Sequence, residues 1–127
     1  MVLSEVRDLL KCDVFVGESL LGENVRYGCA SDLMSDVLAF SQAGALLLTG
    51  LVTIQTIQTA FIAEIRAIVF VRGKKPSQDV IDAAREKRIP LLATPYSMYE
   101  ACGILYRAGL VSTMECLAGT ALRAEKA

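Results

Sequence analysis

The chain has 127 residues, 54% of them apolar, with 13 Lys and Arg against 14 Asp and Glu. That size and balance describe one compact domain and exclude a disordered chain, and a net charge of −1 leaves no basic stripe to displace counterions from nucleic-acid phosphates. With no histidine, the chain lacks the usual general base at neutral pH, any Ser-His or Cys-His nucleophile pair, and the commonest metal ligand.

Cys12, Cys29, Cys102 and Cys116 contain no C-x-x-C spacing, so they read as reduced thiols rather than as a zinc ribbon or a redox pair. Glu5, Arg7, Asp8 and Lys11 interrupt any apolar leader, which places the protein in a reducing cytoplasm. Val37 to Ala63 is uncharged over 27 positions. Its threonines and glutamines, with Gly44 and Gly50, suit a buried strand followed by a covered helix rather than a membrane span.

In chain order, Ser4 to Leu10 is a first helix with Ser4 as N-cap, and Asp13 to Gly17 a short strand. Glu18 to Tyr27 reads as a loop, with Val25 to Ala30 as an extended piece. Ser31 is expected to cap a helix through about Phe40, with Asp32 in its first turn and Leu33, Val37 and Phe40 on one face. Asp32 and Asp36, four apart on that helix, are too few ligands for a divalent ion, and no other metal or cofactor motif occurs.

Ala45 to Thr49 has the apolar run of a central parallel strand, and Thr53 to Glu64 the helical spacing of Ile54, Ile57, Phe61 and Ile65. Ala67 to Val71 is a second such strand, followed by a helix capped by Ser77 with Val80, Ile81 and Ala84 inward. Leu91 to Thr94 is a third strand, and Ser97 caps a helix carrying Met98, Ala101, Cys102, Leu105 and Tyr106, with Glu100 completing a capping box and Gly109 ending it. Three strand-helix units with short connections predict a three-layer α/β/α sandwich with a mostly parallel sheet. Residues 1–110 are expected to form the single domain, and 111–127 a docked C-terminal helix or a flexible tail.

In such a sheet, ligands bind beyond the carboxyl ends of the strands, where loops meet helix N-termini. Three loops qualify, supplying Thr49, Gly50 and Thr53, then Arg72, Gly73 and Lys74, then Thr94 and Ser97 as candidate ligands for a phosphate or carboxylate. Residues 1–63 carry 3 basic and 7 acidic groups, and 64–127 carry 10 basic and 7 acidic, so the halves are −4 and +3. The cluster Arg85, Lys87 and Arg88 complements a helix C-terminus, which leaves Arg72, Lys74 and Lys75 as the candidate anion cluster. Neither G-x-G-x-x-G nor G-x-x-x-x-G-K-[ST] occurs.

The segments Ala45 to Gly50, Ala67 to Pro76 and Ile89 to Ser97 together resemble the DRTGG-domain family over residues 30–110. The resemblance implies a fold similar to the N-terminal domain of HPr kinase/phosphorylase, found also in phosphotransacetylases and between the CBS domains of regulated pyrophosphatases. It further implies a non-catalytic regulatory or assembly module that often forms a homodimer. Small stand-alone members are encoded near iron hydrogenases, which makes an adaptor on such an enzyme, or on its maturation partners, an alternative. The name-giving residues differ: Leu51-Val52-Thr53 stands where the family tends to have Asp-Arg, and Arg72-Gly73-Lys74 replaces Thr-Gly-Gly. The expected function is therefore a module that self-associates and binds a small phosphorylated or nucleotide ligand. A phosphoryl- or acyl-transfer enzyme using Lys74 and Lys75 as an anion clamp is the remaining alternative, and it lacks a nucleophile.

Overall fold

The computed structural model describes residues 1–114. The elements run α1 (Leu3–Leu10), β1 (Asp13–Val16), a 3-10 turn (Glu18–Leu20), β2 (Tyr27–Ala30), α2 (Met34–Phe40), β3 (Ala45–Thr49), α3 (Ile54–Ile62), β4 (Ala67–Phe70), α4 (Gln78–Lys87), β5 (Leu91–Ala93) and α5 (Met98–Arg107). The sheet order is β1-β5-β4-β3-β2; β2 to β5 are parallel and β1 joins β5 antiparallel.

Two apolar cores lie on either face of this sheet, as expected of an α/β/α sandwich. Val37, Ile57 and Val80 from α2, α3 and α4 pack with Leu47, Ile68 and Phe70 on one face. Val6 and Leu10 from α1 and Ala101 and Leu105 from α5 pack with Leu46, Val69 and Leu92 on the other. β3, β4 and β5 are buried at every position, because helices cover both faces, and this explains why they read as continuous apolar runs. The uncharged stretch 37–63 resolves into the end of α2, β3 and α3, and no helix among the described residues is long and apolar enough to cross a membrane.

Several local expectations are corrected. α1 starts one residue early with Val2 as N-cap, since Leu3 and Ser4 donate their N–H groups to the Glu23 and Leu21 carbonyls and Ser4 has no capping task. α2 begins only at Met34: the Ser31 hydroxyl accepts from Leu33 N–H, and Asp32 lies before the helix, not in its first turn. Leu33 and Phe40 are at least half exposed, while Met34 and Val37 form the inner face. On α3 the buried stripe is Thr56, Ile57, Thr59 and Ala60, with Ile54 and Phe61 facing outward. Threonine takes that inner position because the Thr56 hydroxyl donates to the Leu51 carbonyl at 2.6 Å. Ser77 occupies the N-cap of α4 without a side-chain bond.

Val111 to Met114 form a bridge and a turn, not a helix: Gly28 N–H donates to Val111 and Thr113 N–H to Gly28, so this segment lines the β2 edge of the sheet. Gln42 anchors it further by donating to the Thr113 carbonyl at 2.5 Å. The expectation of a helix or tail over 115–127 lies outside the described residues, as does Cys116.

Candidate functional site

Because β2 to β5 are parallel, their carboxyl ends meet at one edge, and the antiparallel β1 begins there, with Asp13 beside Ala93. Thr49 ends β3 and Gly50 follows it, Arg72, Gly73 and Lys74 follow β4, and Thr94 and Ser97 follow β5. A residue not expected there, Asp32, follows β2 and organises this edge.

One oxygen of the Asp32 carboxylate, Oδ1, accepts from the buried Gly50 N–H at 2.6 Å and from the Thr49 hydroxyl at 3.0 Å. Thr49 in turn accepts from Leu51 N–H at 3.1 Å, which shapes the turn into α3. The Gly50 carbonyl accepts from the Lys74 ammonium at 2.8 Å. The Arg72 guanidinium lies against Gly50 so closely that a side chain at residue 50 would run into its Nη2, with the Asp32 carboxylate on the same side. The hydrogen bond from Gly50 N–H holds the Asp32 carboxyl below its ordinary range, reinforced by Thr49 and by the charges of Arg72 and Lys74, against a smaller opposing effect of burial.

Arg72 and Gly73 both take the left-handed backbone conformation, φ 61° and 68°. Their N–H groups donate to the Tyr96 and Thr94 carbonyls at 2.8 and 2.9 Å, which ties the loop after β4 to the loop after β5 and fixes where the Arg72 side chain leaves the backbone. Lys75 is exposed beside them, and the Lys11 ammonium lies 6.0 Å from the Tyr96 ring.

The sequence-predicted residues therefore divide. Thr49, Gly50, Arg72 and Lys74 converge on one cluster, with Gly73 in the turn between its two cations. Thr53 caps α3 by accepting from Thr56 N–H, and Ser97 caps α5 by accepting from Glu100 N–H, both at 3.2 Å. Thr94 is buried: its hydroxyl donates to the Leu10 carbonyl at the end of α1, 2.6 Å distant, and accepts from Tyr96 N–H at 3.2 Å. Asp32 was legible only as a carboxylate just past an extended segment; its partner lies 18 residues on.

The cysteines sit elsewhere or are muted. Burial, with the nearby Asp13 charge, pushes the Cys12 thiol up to about 12, and burial raises Cys29 and Cys102 as well. Cys29 and Cys102 line a cavity of about 290 Å³ between β2, α5 and residues 110–112. No three His, Cys, Asp or Glu side chains gather as a metal site among the described residues. The basic cluster at the end of α4 is a solvated one, with Lys87 stacked 4.4 Å over the Phe61 ring and Arg85 near Asp82.

No family model matches the sequence, and no curated protein is similar to it. Among solved structures, the fold is similar to the CBS and DRTGG domains of the regulatory region of the Clostridium perfringens pyrophosphatase, a structure complexed with the activator diadenosine tetraphosphate. The TM-score is 0.69 at 15% identity, over 82% of this chain and 45% of that one, so this chain spans less than half of that neighbour's length. The likeness shows the fold: an α/β/α sandwich of the kind found in the regulatory region of an enzyme.

Proposed function

We propose that this chain is a non-catalytic regulatory or assembly module that self-associates and binds a small phosphorylated or nucleotide anion at the carboxyl ends of β3 and β4. The observation that carries this reading is the Asp32 carboxylate itself. A negatively charged group already rests on the Gly50 N–H and the Thr49 hydroxyl, with Arg72 and Lys74 beside it. An arrangement that holds one carboxylate has the donors and charges to hold a ligand phosphate in exchange for it. The N-terminus of α3, with no acidic residue in its first turn, adds a positive dipole end to the same edge.

The neighbour's nucleotide activator supports a phosphorylated ligand, and its regulatory setting supports a role without chemistry. The free thiols of Cys12, Cys29 and Cys102 fit a reducing cytoplasm. A nuclear magnetic resonance titration with ATP, diadenosine tetraphosphate, acetyl phosphate and inorganic phosphate tests the site directly. The amides of Gly50, Arg72 and Gly73 are expected to shift first; shifts confined to other parts of the molecule, or none, would contradict the reading.

A second reading, an adaptor docking on a larger enzyme, is favoured by the apolar side chains that α2 and α3 leave exposed, among them Phe40, Ile54 and Ile62. It predicts no response to any of these ligands.

A further inference from the structure

We propose that the outer face of α5 is the self-association surface, taking the same face of a second copy of this chain in antiparallel register about Gly103. This rests on the self-association in the function proposed above and is independent of the anion site. Tyr99 is 91% and Tyr106 60% exposed, unusual for side chains of this size, and a groove of about 1070 Å³ runs over the same face, bounded by Leu9 of α1. Gly103 lies between them in mid-helix, with nothing among the described residues within 4 Å of where its side chain would start. Glycine is the poorest helix former short of proline, and among the described residues neither a positive φ nor a neighbour requires it here. A close approach from outside does.

The stripe is complementary to itself. At about 100° per residue, Tyr99 and Tyr106 lie roughly 40–60° to one side of Gly103, and Glu100 and Arg107 roughly 40–60° to the other. Along the axis, each pair sits about 4.5–6 Å before and after Gly103 at ~1.5 Å per residue. A two-fold axis passing between two antiparallel copies keeps each flank on its own side and reverses the direction along it. Glu100 then meets Arg107 of the second copy, and Arg107 meets its Glu100, on one flank. Tyr99 meets Tyr106 of the second copy, twice, on the other. Two ion pairs and two aromatic pairs close around a glycine crossing that lets the helices approach.

Sedimentation velocity at 5–200 µM tests this with three variants, each checked for native circular dichroism. The Glu100 backbone N–H that Ser97 caps survives substitution, and the space at Gly103 is open, so E100R, R107E and G103R should all fold. The wild type is expected to dimerise, and each variant to weaken the dimer by about tenfold or more. Mixing E100R with R107E is expected to restore a 1:1 dimer, since one then carries two basic groups on this flank and the other two acidic ones. A dimer that ignores all three substitutions would overturn this surface while leaving self-association standing; a monomeric wild type at 200 µM would overturn both.

Discussion

The Asp32 carboxylate accepts the Gly50 N–H at 2.6 Å across 18 residues of sequence, binding the end of β2 to the end of β3. Through Thr49 and the neighbouring Arg72 and Lys74 it makes this edge a charged cluster rather than a set of separate helix caps. The proposed anion site rests on that one contact, and so do most of its tests.

Asp32→Asn keeps the shape and removes the charge. Gly50 N–H retains an acceptor, so the loss of stability should stay within about 1–2 kcal/mol, while the cluster gains one net positive charge. If a ligand phosphate exchanges with this carboxylate, the variant binds phosphorylated ligands more tightly than the wild type does, by isothermal titration calorimetry. Equal or weaker binding would show that Asp32 does not stand in the ligand's place.

The same group gives a pH signature. Its folded pKa is depressed, so the stability it contributes is fully present above the unfolded carboxyl value, near 3.8, and is lost as pH falls through the lower folded value. Urea denaturation between pH 6 and 2.5 should show the wild type losing more stability than Asp32→Asn below about pH 4. Parallel curves would show that the Asp32 carboxylate contributes no pH-dependent stability.

Gly50→Ala forces the Arg72 guanidinium away from Gly50, because the added carbon would run into it. The far end of an arginine yields readily, so the melting temperature should change little. Anion affinity should fall several-fold, which separates this change from a folding defect.

Thr94→Val is the converse case. It leaves the buried Leu10 carbonyl without its 2.6 Å donor, a loss of about 1–3 kcal/mol, with no effect on ligand affinity. An unchanged melting temperature would contradict the assignment of Thr94 to the α1 junction.

Cys12, its thiol pushed up to about 12 by burial and the nearby Asp13 charge, is expected to resist iodoacetamide at pH 8 in the native chain and to react on unfolding. Peptide mapping by mass spectrometry reads this out; labelling of Cys12 in the native chain as fast as in the unfolded one would show the thiol accessible there.

What could be read from the sequence follows the range of the forces involved. β3 was legible residue for residue, since a strand covered on both faces must be apolar throughout, and Thr49-Gly50 and Arg72-Gly73-Lys74 were recognisable as the loops that follow such strands. Asp32 was not, because a serine followed by an aspartate is a good local start for a helix, and only the folded sheet brings Gly50 near enough to claim the carboxylate. The inner face of α3 was missed because periodicity counts threonine as polar, whereas Thr56 is buried once its hydroxyl finds the Leu51 carbonyl. Thr94 looked like Thr49 at the end of a strand, yet α1 had already taken its hydroxyl. The pairing of Ser112 with Gly28 is a single bridge and leaves no repeating pattern to detect.

The most direct test of the central claim is the melting temperature of the wild type, with and without ATP, diadenosine tetraphosphate and acetyl phosphate, beside the double variant Arg72→Ala, Lys74→Ala. A ligand at 100 times its dissociation constant stabilises the native state by about 2.7 kcal/mol, enough to raise the midpoint by several degrees in a chain of this size. Such a rise is expected with at least one of the three ligands, and its disappearance in the double variant. A wild type that responds to none of them, or a response that survives the loss of both cations, would contradict that claim.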